Sequence, residues 1–87
     1  MSHELFFHQR LRVAMAVRDV SNADLARAIA VSRTMVSAMT HGKKFPSSSK
    51  LCMICNFLEV SLDWIMEPDP IILTAKERPL IIHRIHK

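Results

Sequence analysis

Two groups of residues in this 87-residue chain have the types and spacing to do chemistry. The first is a pair of cysteines, Cys52 and Cys55, at C-x-x-C spacing, with His83 and His86 at H-x-x-H. Together they have the ligand types of a zinc site. The cysteines, however, fall inside an apolar helical pattern, with Cys55 on its inner stripe, and no βαβ unit supports a redox pair. They read as small hydrophobes, and no metal or other cofactor is expected. No nucleophile with its base, no paired carboxylates and no phosphate-cradling loop is present, so enzymatic activity is not expected. The second group is polar: Ser32-Arg33-Thr34, then Ser37 and Ala38, and past Gly42 the pair Lys43-Lys44. An arginine-bearing outer face at the opening of a short helix suits hydrogen bonds to phosphates and base edges.

The elements that must position this group are legible on either side. Ser21 is a good N-cap, with Asp24 at the capping-box position, and Leu25, Ala26 and Ile29 follow on one face. Ala30-Val31 breaks the pattern, and Ser32 supplies a second N-cap. Met35, Val36 and Met39 then form the stripe of a second helix, leaving Arg33, Thr34, Ser37 and Ala38 on another face. Gly42 stops it. Helices this short need something to pack on.

That support comes from both flanks. Leu5 to Arg18 reads as a helix with Phe7, Leu11, Ala14 and Met15 on its stripe and Arg10 and Arg12 at the flanks, ending at Asp19. Downstream, Ser47 or Ser48 should cap a helix whose inner stripe is Leu51, Ile54, Cys55 and Leu58. Ser61 should cap a last short helix carrying Leu62, Trp64, Ile65 and Met66, with Pro68 and Pro70 ending it. Trp64 reads as a large apolar plug.

The formal charge is +4, unevenly spread. Residues 1–50 hold eight Lys/Arg against three acids, and residues 51–87 four against five. The basic excess therefore lies on the half with the paired short helices, where a polyanion would need it. No apolar run approaches the ~20 residues of a membrane span, and the start lacks a secretion-signal layout. A cytoplasmic protein without a membrane partner is expected.

Leu25-Ala26, Val31-Ser32, Val36 and Gly42-Lys43, followed by Pro46, Leu51, Ile54, Leu58, Val60-Ser61 and Asp63-Trp64-Ile65, resemble the lambda-repressor-like (Cro/CI, phage-repressor) helix-turn-helix family over about residues 5–67. The resemblance implies an all-α bundle of five helices, to which this chain adds a short C-terminal β-strand or hairpin extension. Residues 1–68 would form the DNA-binding domain and 69–87 the extension. Two departures stand out. Ala30 takes the place of the usual glycine in the turn between the second and third helices. Met15 and Thr40 replace the arginine and glutamate that often pair in this family.

The resemblance also implies site residues. Arg33, Thr34, Ser37 and Ala38 would meet base edges, with Arg33 suited to guanine and Thr34 and Ala38 offering methyls to thymine. Asn22, Ser32, Lys43 and Lys44 would hold phosphates through hydroxyl, ammonium or backbone N–H groups, with Arg10 and His41 as further candidates. A solvated Arg10, and a His41 that merely complements its helix end, are the plainer readings. The expected function is a sequence-specific regulator of transcription, a phage or prophage repressor binding double-stranded DNA as a homodimer. An antitoxin-type autorepressor with a protein partner, or a bundle that keeps only protein contacts, stays open.

Beyond the family pattern, Ile71-Ile72-Leu73 and Leu80-Ile81-Ile82 with Ile85 are β-branched runs around a charged centre. Pairing them across a two-fold axis would bury the isoleucines and remove the strand edge. A hairpin folded on its own helices is the alternative.

Overall fold

The structure is a computed structural model that describes residues 6–67. Five helices follow in order: α1 (Phe7–Arg18), α2 (Asn22–Ile29), α3 (Arg33–Thr40), α4 (Ser48–Leu58) and α5 (Leu62–Ile65). The described part is all-helical, as expected. The strands expected at 71–73 and 80–85 lie outside the described residues.

Each start is set locally. Oγ of Ser21, Ser32, Ser47 and Ser61 accepts the N–H of the residue three positions on, capping α2, α3, α4 and α5. At α2 the box is reciprocal, since the Ser21 N–H also donates to Asp24 Oδ2 at 3.1 Å. Of the two serines offered for α4, the chain uses Ser47. The ends share one device as well. Asp19, Ala30, Gly42 and Glu59 all take left-handed backbone, with φ between 57° and 76°. The N–H after each turns back to a carbonyl five residues earlier, as in Val31 to Ala26 at 3.0 Å and Lys43 to Ala38 at 2.8 Å.

Ala30, where the family usually has glycine, occupies the left-handed conformation at φ 60°, ψ 50°. That costs ~1–2 kcal/mol, and the residue is exposed.

The inner stripes meet in one core. Phe7, Leu11, Leu25, Ile29, Val36, Met39, Ile54, Leu58 and Ile65 are fully buried, each worth roughly 1.5–3 kcal/mol of transfer free energy. α2 packs on α3 and α4, and α1 lies against α3, α4 and α5. The edge of Phe45 meets Phe7 with ring centroids 4.9 Å apart, which draws the loop after α3 onto α1. Of the residues carried by the last helix, Trp64 and Ile65 are buried and Leu62 is exposed, turned outward by a helix of one turn. Cys52 is exposed too, so only Cys55 acts as a core hydrophobe.

Candidate nucleic-acid interface

α3 hides one face and offers the other. Val36, Met39 and Thr40 are buried and Met35 is partly so, while Arg33 and Thr34 are exposed at the first turn. Ser37 and Ala38, half-buried, stand one turn on, so that Arg33 with Ser37 and Thr34 with Ala38 form two parallel ridges. All four expected base-reading residues therefore share one outward surface at the amino end of α3. Asn22 is exposed at the first position of α2, and Ser32 is exposed between the two helices with its Oγ engaged on Met35 N–H at 3.0 Å. That oxygen still has its own proton to donate.

Lys43 and Lys44 are exposed beyond Gly42, but their backbone N–H groups both point at the Ala38 carbonyl, at 2.8 and 3.3 Å. Only their ammonium groups are left for an anion. His41 is also narrowed in what it can do. Its Nδ1 lies 2.8 Å from the Ser37 carbonyl oxygen, which can only accept, so Nδ1 carries the proton. The outward Nε2 then accepts in the neutral ring and donates only in the imidazolium.

Arg10 is a correction. It was expected at a flank, in reach of a phosphate, but its residue is 4% exposed. The guanidinium lies 5.0 Å from the Trp64 ring centroid and donates to Glu67 Oε1 at 3.2 Å. The turn of α1 that buries Leu11 and Ala14 carries position 10 inward, and the cation stacks on the plug. Arg10 belongs to the bundle and leaves the set of candidate phosphate contacts.

Other cations of the basic half are also engaged within the chain. Arg12 Nη1 donates to the Thr40 carbonyl at 2.9 Å, Arg18 Nε to the Leu58 carbonyl at 2.8 Å, and Lys50 Nζ to the Ile29 carbonyl at 2.7 Å. Arg27 pairs with Asp24 at 2.8 Å on the surface, an interaction of small worth in solvent. Of the eight Lys/Arg in residues 1–50, Arg33, Lys43 and Lys44 are those with no partner among the described residues. These three sit on α3 and the loop that follows it. Among the described residues, the cations of this half whose donors are free of any intramolecular partner are thus gathered on one side of the molecule.

Near the same loop lies a residue that sequence reasoning missed. His8 on α1 lines a cavity of about 110 Å³ together with Lys43, Lys44 and Gly42. No local pattern marks it, because the partners are 34 to 36 positions away in the chain.

Asp24 lies near this surface, at the start of α2. The Ser21 backbone N–H, then the Ser21 hydroxyl and the Arg27 guanidinium, hold its pKa below the ordinary 3.8. It serves the start of α2. Among the described residues no helix is long and apolar enough to cross a membrane.

A family model described as Cro/C1-type HTH DNA-binding domain matches residues 10–70. Neither the curated proteins nor the solved structures give a match.

Proposed function

Because the chain belongs to the Cro/C1-type helix-turn-helix DNA-binding family, we propose that it is a repressor, of phage or prophage type, that binds a near-palindromic operator as a homodimer. That it is a DNA-binding regulator of transcription follows from the family. The finer reading rests above all on one observation: Arg33, Lys43 and Lys44, the cations of the basic half with no partner among the described residues, lie with Thr34 on the exposed side of α3 and its following loop.

In this reading the amino end of α3 enters the major groove. Arg33 reads guanine O6 and N7, and Thr34, Ser37 and Ala38 meet the neighbouring base edges. Asn22, Ser32, Lys43 and Lys44 fix the register on phosphates, joined by His41 when its ring is doubly protonated. Residues 69–87 serve as the dimer-forming extension, through Ile71, Ile72, Leu73, Leu80, Ile81, Ile82 and Ile85. Two α3 helices would then address half-sites about 34 Å apart.

Selection of bound duplexes from a random pool tests the proposal. A two-fold-symmetric consensus with half-sites about one helical turn apart is the expected result. Asymmetric single half-sites would overturn the dimer, and no salt-sensitive binding to any duplex would favour a bundle kept for protein contacts.

A second reading, an antitoxin-type autorepressor, is favoured by Met53, Phe57 and Leu62, the large apolar side chains left exposed among the described residues. Met53 and Phe57 are neighbours one turn apart on α4. Co-purification of a stoichiometric partner protein from the native host separates the two.

A further inference from the structure

The family's usual tie between the first and third helices is missing from this sequence, since Met15 and Thr40 hold the places of the arginine and glutamate. A different tie stands in its place. Arg12, one turn before Met15 on α1, reaches the backbone of Thr40 and donates Nη1–H to its carbonyl at 2.9 Å. Thr40 Oγ1 meanwhile turns back to the Ser37 carbonyl at 2.9 Å, leaving the Thr40 carbonyl to the arginine. At the other end, Lys50 on α4 donates to the carbonyl of Ile29, the last residue of α2, at 2.7 Å. Ile29 immediately precedes the left-handed Ala30 that starts the turn into α3. Both acceptors are carbonyls at helix carboxyl ends, where the chain lacks its own donors and a cation is favoured.

We propose that Arg12 and Lys50 are positioning residues that hold α3 from both ends, Lys50 through the turn that enters it and Arg12 through its last carbonyl. The inference rests on the DNA-binding reading for its consequence, because the orientation they set is that of the reading surface. By charge alone both would be taken for phosphate contacts. Nη1 of Arg12 and Nζ of Lys50 are turned to backbone carbonyls instead, so their loss should misdirect Arg33 rather than remove a phosphate contact. Arg18 supplies an internal control. It caps the end of α4 in the same manner, through Leu58 at 2.8 Å, and α4 is not part of the reading surface.

The test uses the full chain with Arg12→Met, Arg12→Lys, Lys50→Met and Arg18→Met. Each is titrated against the best duplex selected by the unaltered protein and against a random-sequence duplex, over a range of salt. Arg12→Met and Lys50→Met should each weaken the selected duplex roughly three- to tenfold. They should leave the random duplex and the salt slope unchanged. Arg12→Lys should recover part of the loss, and Arg18→Met should lower stability with the ratio of selected to random affinity intact. Equal losses on both duplexes, with a flatter salt slope, would overturn the proposal and make the residue a phosphate contact.

Amide hydrogen exchange on the free protein gives an arm independent of DNA. Arg12→Met should speed exchange at His41 to Lys43 more than at Ile54 and Leu58. Uniform change across these sites would overturn the clamp, even in a chain that binds no duplex. A chain that binds none yet shows the local change would overturn the DNA reading alone.

Discussion

The imidazole of His8 closes on position 42: a Cβ built on Gly42 would come within 3.3 Å of His8 Nδ1, so the ring would have to give by a few tenths of an ångström. The chain has a single glycine, yet four helix ends need left-handed backbone. Asp19, Ala30 and Glu59 accept that conformation with a side chain, so φ alone does not account for where the glycine sits. At position 42 the His8 ring adds a tight contact to the left-handed backbone.

Gly42→Ala should therefore destabilise by ~1–2 kcal/mol, combining left-handed strain and contact with the ring, less the entropy an alanine removes from the unfolded chain. Urea denaturation of the single and paired variants would read it. In a His8→Ala background the cost should shrink, and equal costs in both backgrounds would mean that the ring is no obstacle.

Ala30→Gly should do the opposite. About 1–2 kcal/mol of left-handed strain is relieved against roughly 0.4–1 kcal/mol of added unfolded-state entropy. The methyl is exposed, so little packing is lost. The net gain is roughly 0–1.6 kcal/mol, and each 1 kcal/mol corresponds to a rise of about 4–8 °C in Tm for a domain of this size. A lower Tm would show that the alanine is not strained.

Arg33→Ala should cost ~1–3 kcal/mol on the selected duplex and relax the preference at one base position of each half-site. Lys43→Ala should weaken all duplexes alike and reduce the salt slope by about 0.9 for each copy of the chain. Binding titrations at several salt concentrations separate these outcomes. A uniform loss for Arg33→Ala would assign that arginine to phosphate.

Acid should loosen the start of α2 before the other helices. Asp24 has its pKa lowered by the Ser21 N–H, the Ser21 hydroxyl and Arg27, so ionisation is more favourable in the folded chain than in the unfolded one. The stabilisation is complete above the ordinary 3.8 and is lost as pH falls from there through the lowered folded value. Exchange at the Asp24 and Leu25 amides, followed from pH 5 downward, should report this. In Asp24→Asn the same amides should show no acid step beyond the intrinsic one.

The two thiols should react separately. Burial, and secondarily the neighbouring Cys52, pushes the Cys55 thiol up to about 11 from the ordinary 9.0. Cys52 is exposed. An aromatic disulfide reagent at pH 8 should titrate one thiol of the native protein at once and the second only on unfolding. Stability should fall as pH rises from about 9.0 toward about 11, since the unfolded chain ionises Cys55 first. Equal native rates for both thiols would contradict the burial of Cys55.

The order and limits of the helices were decided by the sequence itself. Ser21, Ser32, Ser47 and Ser61 each cap an N–H only three positions away, and the stripes Leu25-Ala26-Ile29 and Leu51-Ile54-Cys55-Leu58 follow helical spacing. Interactions of that range need no knowledge of the rest of the chain. The exposure of Arg33 and Thr34 was legible for the same reason, as the complement of the buried Val36 and Met39. Only the tertiary structure decided which cations are left for a ligand. Arg10 meets Glu67, Arg12 meets Thr40, Arg18 meets Leu58 and Lys50 meets Ile29, across separations of 57, 28, 40 and 21 residues. Three of these acceptors are backbone carbonyls, which every residue carries, so no side-chain pattern announces them. Packing alone chooses which carbonyl at a helix end lies within an arginine's or a lysine's reach.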